Sequence, residues 1–109
     1  MPVNHIVLFQ FKANASPEAV DQACASMLAL KETCLHPQTQ KPYIKSLTGG
    51  KDNSKEGLQN GIEWGFVVEF DNLDDRDFYV STDKAHDAFK ATAGPIIEKC
   101  IVVDYNIQP

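Results

Sequence analysis

A chain of 109 residues is long enough for one hydrophobic core and seldom for two, and its 43% hydrophobic and 23% charged residues balance as in a folded chain, so a single domain over residues 1–109 is expected. The net charge of -5, with ten basic residues scattered along the chain, leaves no concentrated positive footprint for a nucleic-acid backbone. No apolar run approaches the roughly 18 residues that cross a bilayer, and MPVNHIVLFQF lacks the basic segment and cleavage site of a secretory signal; a cytoplasmic protein with no membrane or nucleic-acid partner is expected.

Asn4 to Phe11 is rich in β-branched and aromatic residues, with His5, Val7, Phe9 and Phe11 on one alternating face and Ile6 and Leu8 on the other. That pattern predicts a strand covered on both sides. Ser16, Pro17 and Glu18 supply an N-cap, a first helical residue and a first-turn acid. Val20, Ala23, Cys24, Met27, Leu28 and Leu30 then recur at helical spacing, which predicts a helix to about Thr33. His36-Pro37 and Lys41-Pro42 stop it, and YIKSLTG reads as a second strand.

GGKDNSKEGLQNG has the glycines, Asn and Asp of a surface loop, without the spacing of a phosphate-binding loop. In the third strand, Ile62 to Phe70, the residues Ile62, Trp64, Phe66, Val68 and Phe70 share a face. Asn72 caps a short helix whose acids, Asp74, Asp75 and Asp77, form a solvated, dipole-complementing start with Asp71. A further helix starts near Asp83, with Ala85, Ala88, Phe89, Thr92, Ala93, Ile96, Ile97 and Cys100 on one stripe and a kink or interruption at Pro95. Ile101, Val103, Tyr105 and Ile107 alternate with Val102, Asp104 and Asn106 in a closing strand.

The order is β-α-β-β-α-β with a split second helical region, the ferredoxin-like α+β arrangement around a four-stranded antiparallel sheet. Its helices cover one face of the sheet, yet the first strand is apolar on both. A homodimer packed sheet on sheet is the simplest cover for the other face.

Few side chains carry chemistry. Tyr79 and His86 lie seven residues apart, two turns of a continuous helix, but Ser81, Thr82 and Asp83 between them all compete with helix by capping, so a break is expected. His86, with an ordinary imidazole pKa of about 6.5, suits a general base; it equally suits a helix start, bonded to a nearby carboxylate or carbonyl. Tyr79 is either a hydroxyl donor or a packing residue with its hydroxyl at the surface. His5 is either a satisfied core histidine or a pocket residue, and His36 an exposed loop residue. No pair of histidines has metal-ligand spacing. Cys24, Cys34 and Cys100 include no C-x-x-C pair and read as reduced, mostly buried thiols.

HIVLFQFK, GGKDNSKEG, GFVVEF, DRDFYV with AHDAF, and VVDY, in that order along nearly the whole chain, resemble the stress-responsive dimeric α/β-barrel (Dabb) family. The resemblance implies a ferredoxin-like protomer that pairs through its sheet into a dimeric α+β barrel. Most members have no assigned chemistry. One branch, the olivetolic acid cyclase-type polyketide cyclases, closes a poly-β-keto chain by intramolecular aldol condensation, without cofactor or metal, in a pocket between sheet and helices.

Carried over by position, that branch's catalytic residues fall on His5, Tyr79 and His86, and its third-strand histidine falls on Trp64. The family's His-Pro is missing from YVSTDKAH, which is one residue longer. Asp104 and Tyr105 read as dimer or fold determinants. The expectation is therefore a small cofactor-independent cyclase- or lyase-type enzyme acting on a polyketide-like apolar substrate, with His86 as base, Tyr79 as oxyanion donor and His5 as polar anchor. Val7, Phe9, Trp64, Phe66 and Phe89 are expected to line the substrate pocket. The alternatives are a non-catalytic stress-responsive dimer and a carrier of small hydrophobic molecules.

Overall fold

A computed structural model describes residues 1–109. Strand β1 (Val3–Phe11) buries Val3, His5, Val7, Phe9 and Phe11 beneath the helices and leaves Asn4, Ile6, Leu8 and Gln10 half-buried on the opposite face. It is therefore a central strand. Helix α1 (Pro17–Thr33) begins at Ser16, whose hydroxyl accepts from the Ala19 N–H, and packs through Ala23, Cys24, Met27 and Leu30. Strands β2 (Ile44–Lys51) and β3 (Trp64–Phe70) follow, then helices α2 (Leu73–Ser81) and α3 (Lys84–Ala93) and the closing strand β4 (Ile97–Asn106).

All neighbouring strands are antiparallel in the order β2-β3-β1-β4, which is the ferredoxin-like topology expected. The register sets His5 between Val68 and Asp104, Val7 between Phe66 and Val102, and Phe9 between Trp64 and Cys100. Phe66, Phe70 and Met27 are fully buried, each worth roughly 1.5–3 kcal/mol of burial, and Tyr79 is fully buried with them. The Phe66 ring lies directly over β2 at Gly49, where a Cβ would collide with it.

Two strand starts differ from the sequence reading by two residues or more. The third strand starts at Trp64, with Ile62 buried in the preceding loop, where its N–H donates to the Gln59 carbonyl. The closing strand starts at Ile97, four residues earlier than its alternation suggested. Ile97 and Cys100, read as the end of a helical stripe, therefore belong to β4. Pro95 has no N–H to continue the helical ladder, so α3 ends at Ala93 and a single 3-10 turn, Gly94–Ile96, leads into the strand.

The expected break between α2 and α3 is present. The Thr82 and Asp83 N–H groups both donate to the Phe78 carbonyl, and the Asp83 carboxylate caps α3 by accepting from the Ala85 and His86 N–H groups. On the open face of the sheet, Ile6 and Leu8 are flanked by Val103 and Ile101, and Val103 is 53% exposed. The helical layer also stops short of β4, an edge strand, so Val102 on the helix side is 51% exposed. No helix is long and apolar enough to cross a membrane.

Candidate functional site

That gap beneath α3 is a cavity of about 510 Å3. Its walls are apolar, formed by Val7 and Phe9 of β1, Met27 of α1, Phe89 and Ala93 of α3, and Val102 of β4, with Lys90, Glu98 and Cys100 also on the lining. Two imidazoles, His5 and His86, face into it. A second, polar depression shares His5, Val80 and Val102 with this cavity and adds Arg76, Asp77, Ser81 and Asp104.

His86 sits in the first turn of α3, and its Nδ1 lies 2.8 Å from the backbone carbonyl of Tyr79. A carbonyl can only accept, so Nδ1 carries the proton and Nε2 holds the free lone pair. Burial of the ring lowers the His86 pKa below its ordinary value; Lys90 and His5 add to that, while the Tyr79 carbonyl and Asp83 oppose it. The ring is thereby kept neutral at cellular pH, as a base must be before it takes a proton.

His5 is held differently. Its Nδ1 lies 2.7 Å from Asp104 Oδ1, and the other oxygen of that carboxylate accepts from Arg76 Nη1 at 2.8 Å. Arg76 Nε donates in turn to Asp77 Oδ1 at 2.8 Å. His5 is nearly buried, and no protein group bonds its Nε2. Asp104, expected as a dimer or fold determinant, turns its carboxylate to the helix side, where it holds an imidazole. The signal was present: the alternation that sets Val102 and Asp104 on one face, combined with β1–β4 pairing, brings Asp104 opposite His5.

Tyr79 does not reach the cavity. Its ring is completely buried, stacked on His86 (centroids 3.9 Å apart, planes at 16°) and packed edge-on with His5 and tilted against Phe70. Its hydroxyl is buried without a hydrogen-bond partner. Burial, with Cys34 and Asp83 nearby, drives its pKa well above the phenol range. The expected part of oxyanion donor is thus corrected: the hydroxyl is buried and Tyr79 does not line the cavity, and the residue supports His86 from behind, by its ring and its carbonyl.

Trp64 and Phe66 are likewise not cavity walls. They stack on each other at 6.0 Å on the β2 side of β1, and Phe9 stands between them and the cavity, 5.6 Å from Phe66 and 6.3 Å from Phe89. Val7, Phe9 and Phe89 are the expected lining residues that the cavity contains. His36 is half-buried rather than exposed, edge-on to Tyr43, and away from the cavity. Cys24 and Cys34 are buried, with burial pushing the Cys24 thiol up to about 11; Cys100 is exposed.

Behind the site, the Tyr43 hydroxyl donates to Asp83 Oδ2 at 2.6 Å, on a carboxylate only 3% exposed. Asp83 thus ties Tyr43, just before β2, to the start of α3 and fixes the backbone that carries His86. No three His, Cys, Asp or Glu side chains come together as ligands for a metal ion.

The fold and site define a ferredoxin-like α+β protomer with an imidazole-lined apolar cavity between helix and edge strand. The model of the Stress responsive A/B Barrel Domain matches residues 3–107, and the chain belongs to that family. A search of curated proteins found no significant relative. Among solved structures, a protein of Arabidopsis thaliana is similar at 26% identity and a TM-score of 0.83, covering 98% of this chain and 96% of its own. The hydroxynitrile lyase from Passiflora edulis is similar at 23% identity and a TM-score of 0.84, covering 98% and 94%. A protein from Thermobifida fusca, described as dimeric and ferredoxin-like, is similar at 24% identity and a TM-score of 0.73, covering 98% and 92%.

Proposed function

We propose that the protein is a small enzyme of cyclase or lyase type, independent of any cofactor, that works on an apolar, polyketide-like molecule by imidazole acid–base chemistry. One observation carries the reading: a histidine whose Nδ1 proton is spent on a backbone carbonyl, and whose pKa is lowered, faces an apolar cavity with Nε2 free. In an aldol closure, His86 takes a proton from the carbon between two carbonyls, which general-base help accelerates by about 10² to 10⁴. In a hydroxynitrile cleavage, the reaction named for the Passiflora edulis neighbour, the same nitrogen would take the hydroxyl proton as cyanide leaves. His5 serves as the second polar contact.

The protein acts as a homodimer. The half-exposed apolar strip of Ile6, Leu8, Ile101 and Val103 supports this, as does the description of the Thermobifida fusca neighbour as dimeric.

A carrier would use the same cavity without turnover, and the predominance of apolar walls favours it as the second reading. Purified protein screened against poly-β-keto compounds and hydroxynitriles separates the two. If His86 is the base, His86→Ala abolishes turnover of any substrate found and leaves its binding largely intact; undiminished turnover in that variant refutes the mechanism. Binding without turnover in the wild-type protein identifies a carrier.

A further inference from the structure

We propose that Arg76 and Asp104 act together as a positioning pair that holds the proton of His5 on Nδ1, so that His5, like His86, presents an unprotonated Nε2 to the cavity. This inference rests on reading His5 as ligand-facing, and its test reads proton location rather than turnover, so the two can fail separately.

The argument is one of hydrogen-bond direction. The two oxygens of Asp104 are divided: Oδ1 meets His5 Nδ1 at 2.7 Å, and Oδ2 meets Arg76 Nη1 at 2.8 Å. A guanidinium can only donate and an ionised carboxylate can only accept. The neutral imidazole therefore has one way to complete the bond, by donating from Nδ1, and its lone pair is left on Nε2. Arg76 is itself anchored by its Nε on Asp77, so the fork approaches Asp104 from a fixed side.

Arg76 has a consequence that Asp104 alone would not. If the carboxylate becomes a carboxamide, the group facing Arg76 must be the amide oxygen, because two donors cannot share a bond. The amide NH2 is then turned toward His5 and donates to Nδ1, which forces the proton to Nε2. His5 would change from acceptor to donor at the cavity with scarcely an atom displaced. In a serine-protease triad the equivalent carboxylate-to-amide change leaves the geometry intact, gives the wrong tautomer and costs about 10⁴ in kcat.

The three histidines make the test internally controlled. His86 is a fixed Nδ1–H ring, and His36 is its opposite, because its Nδ1 accepts from the Gln38 N–H at 3.1 Å. Long-range ¹H–¹⁵N spectra of the full chain, recorded at rising pH until the ring ¹⁵N shifts no longer change, should show His5 and His86 protonated on Nδ1 and His36 on Nε2.

In Asp104→Asn, His5 should move to the His36 pattern while the other two stay unchanged. In Arg76→Met/Asp104→Asn, the amide is free to rotate, and the Nε2–H share of His5 should fall below that of the single variant. A wild-type His5 protonated on Nε2, or a His5 unmoved in Asp104→Asn, overturns the proposal. An equal share in the single and double variants removes Arg76 from it and overturns the pairing.

Discussion

Replacing Tyr79 with Phe deletes one oxygen from a completely buried ring, and the structure predicts that the change stabilises the protein. The hydroxyl has no partner, and the ring around it is enclosed by His5, Phe70 and His86. A buried hydroxyl left without a hydrogen bond costs about 1–3 kcal/mol. Phe keeps the ring, the stack on His86 and the backbone carbonyl that holds His86 Nδ1. The loss is limited to the dispersion contacts of one atom, about 0.1–0.2 kcal/mol each, so a net gain of about 1 kcal/mol is expected. For a chain of this size that raises Tm by roughly 4–8 °C, measured by circular dichroism at fixed protein concentration because the proposed dimer would make Tm depend on it. Turnover should be within a few-fold of wild type. A fall in Tm would reveal a bond to the hydroxyl, and a loss of about 10²-fold or more in kcat would show it meeting developing charge in the ligand; either result refutes the placement of Tyr79 behind the site.

The pH dependence of stability follows from His86. Its pKa is lowered in the folded state, mainly by burial, so the unfolded chain binds the proton first as pH falls through about 6.5. Stability is unaffected above that point, declines below it, and stops declining once pH passes beneath the folded pKa. Urea midpoints from pH 8 to 5 should fall more steeply for the wild-type protein than for His86→Gln; parallel curves would show that the ring is not shielded. For the open face, Val103→Asp places a charge beside Ile6 on the surface proposed to be covered by a second copy, and sedimentation should give monomers at micromolar concentration. A dimer unchanged by that charge would move the interface elsewhere.

Much of the fold was legible because its signals are local. Ser16, Asn72 and Asp83 are caps whose side chains bond backbone donors two or three residues away, and the alternation in β1 survives as alternating burial. The start of β4 was not legible, because Ile96, Ile97 and Cys100 continue the stripe of α3 at helical spacing. Only the geometry at Pro95 decides between helix and strand there. Of the expected site residues, His5 and His86, carried over by the family resemblance, and Val7, Phe9 and Phe89 line the cavity, while Trp64, Phe66 and Tyr79 do not, for a shared reason. A strand's face is readable from its period, but how far the helical layer extends across the sheet is not. The cavity opens toward β4, where the layer ends, and these three residues lie under or behind the covered part.

The same shortfall of helix explains how the cavity holds two imidazoles that do not depend on one another for their orientation. The break at Asp83 ends α2 and restarts the chain as α3, so the Tyr79 carbonyl, no longer needed by a continuing helix, is free to accept from His86. The uncovered edge strand leaves Asp104 on the helix side with space for Arg76 to reach it from α2, and the shared carboxylate orients His5. One nitrogen is thus set by an interruption within the helical layer and the other by the limit of that layer. A substitution that joined α2 to α3 into a single helix would cost the first and spare the second, whereas one that extended cover over β4 would close the cavity to both.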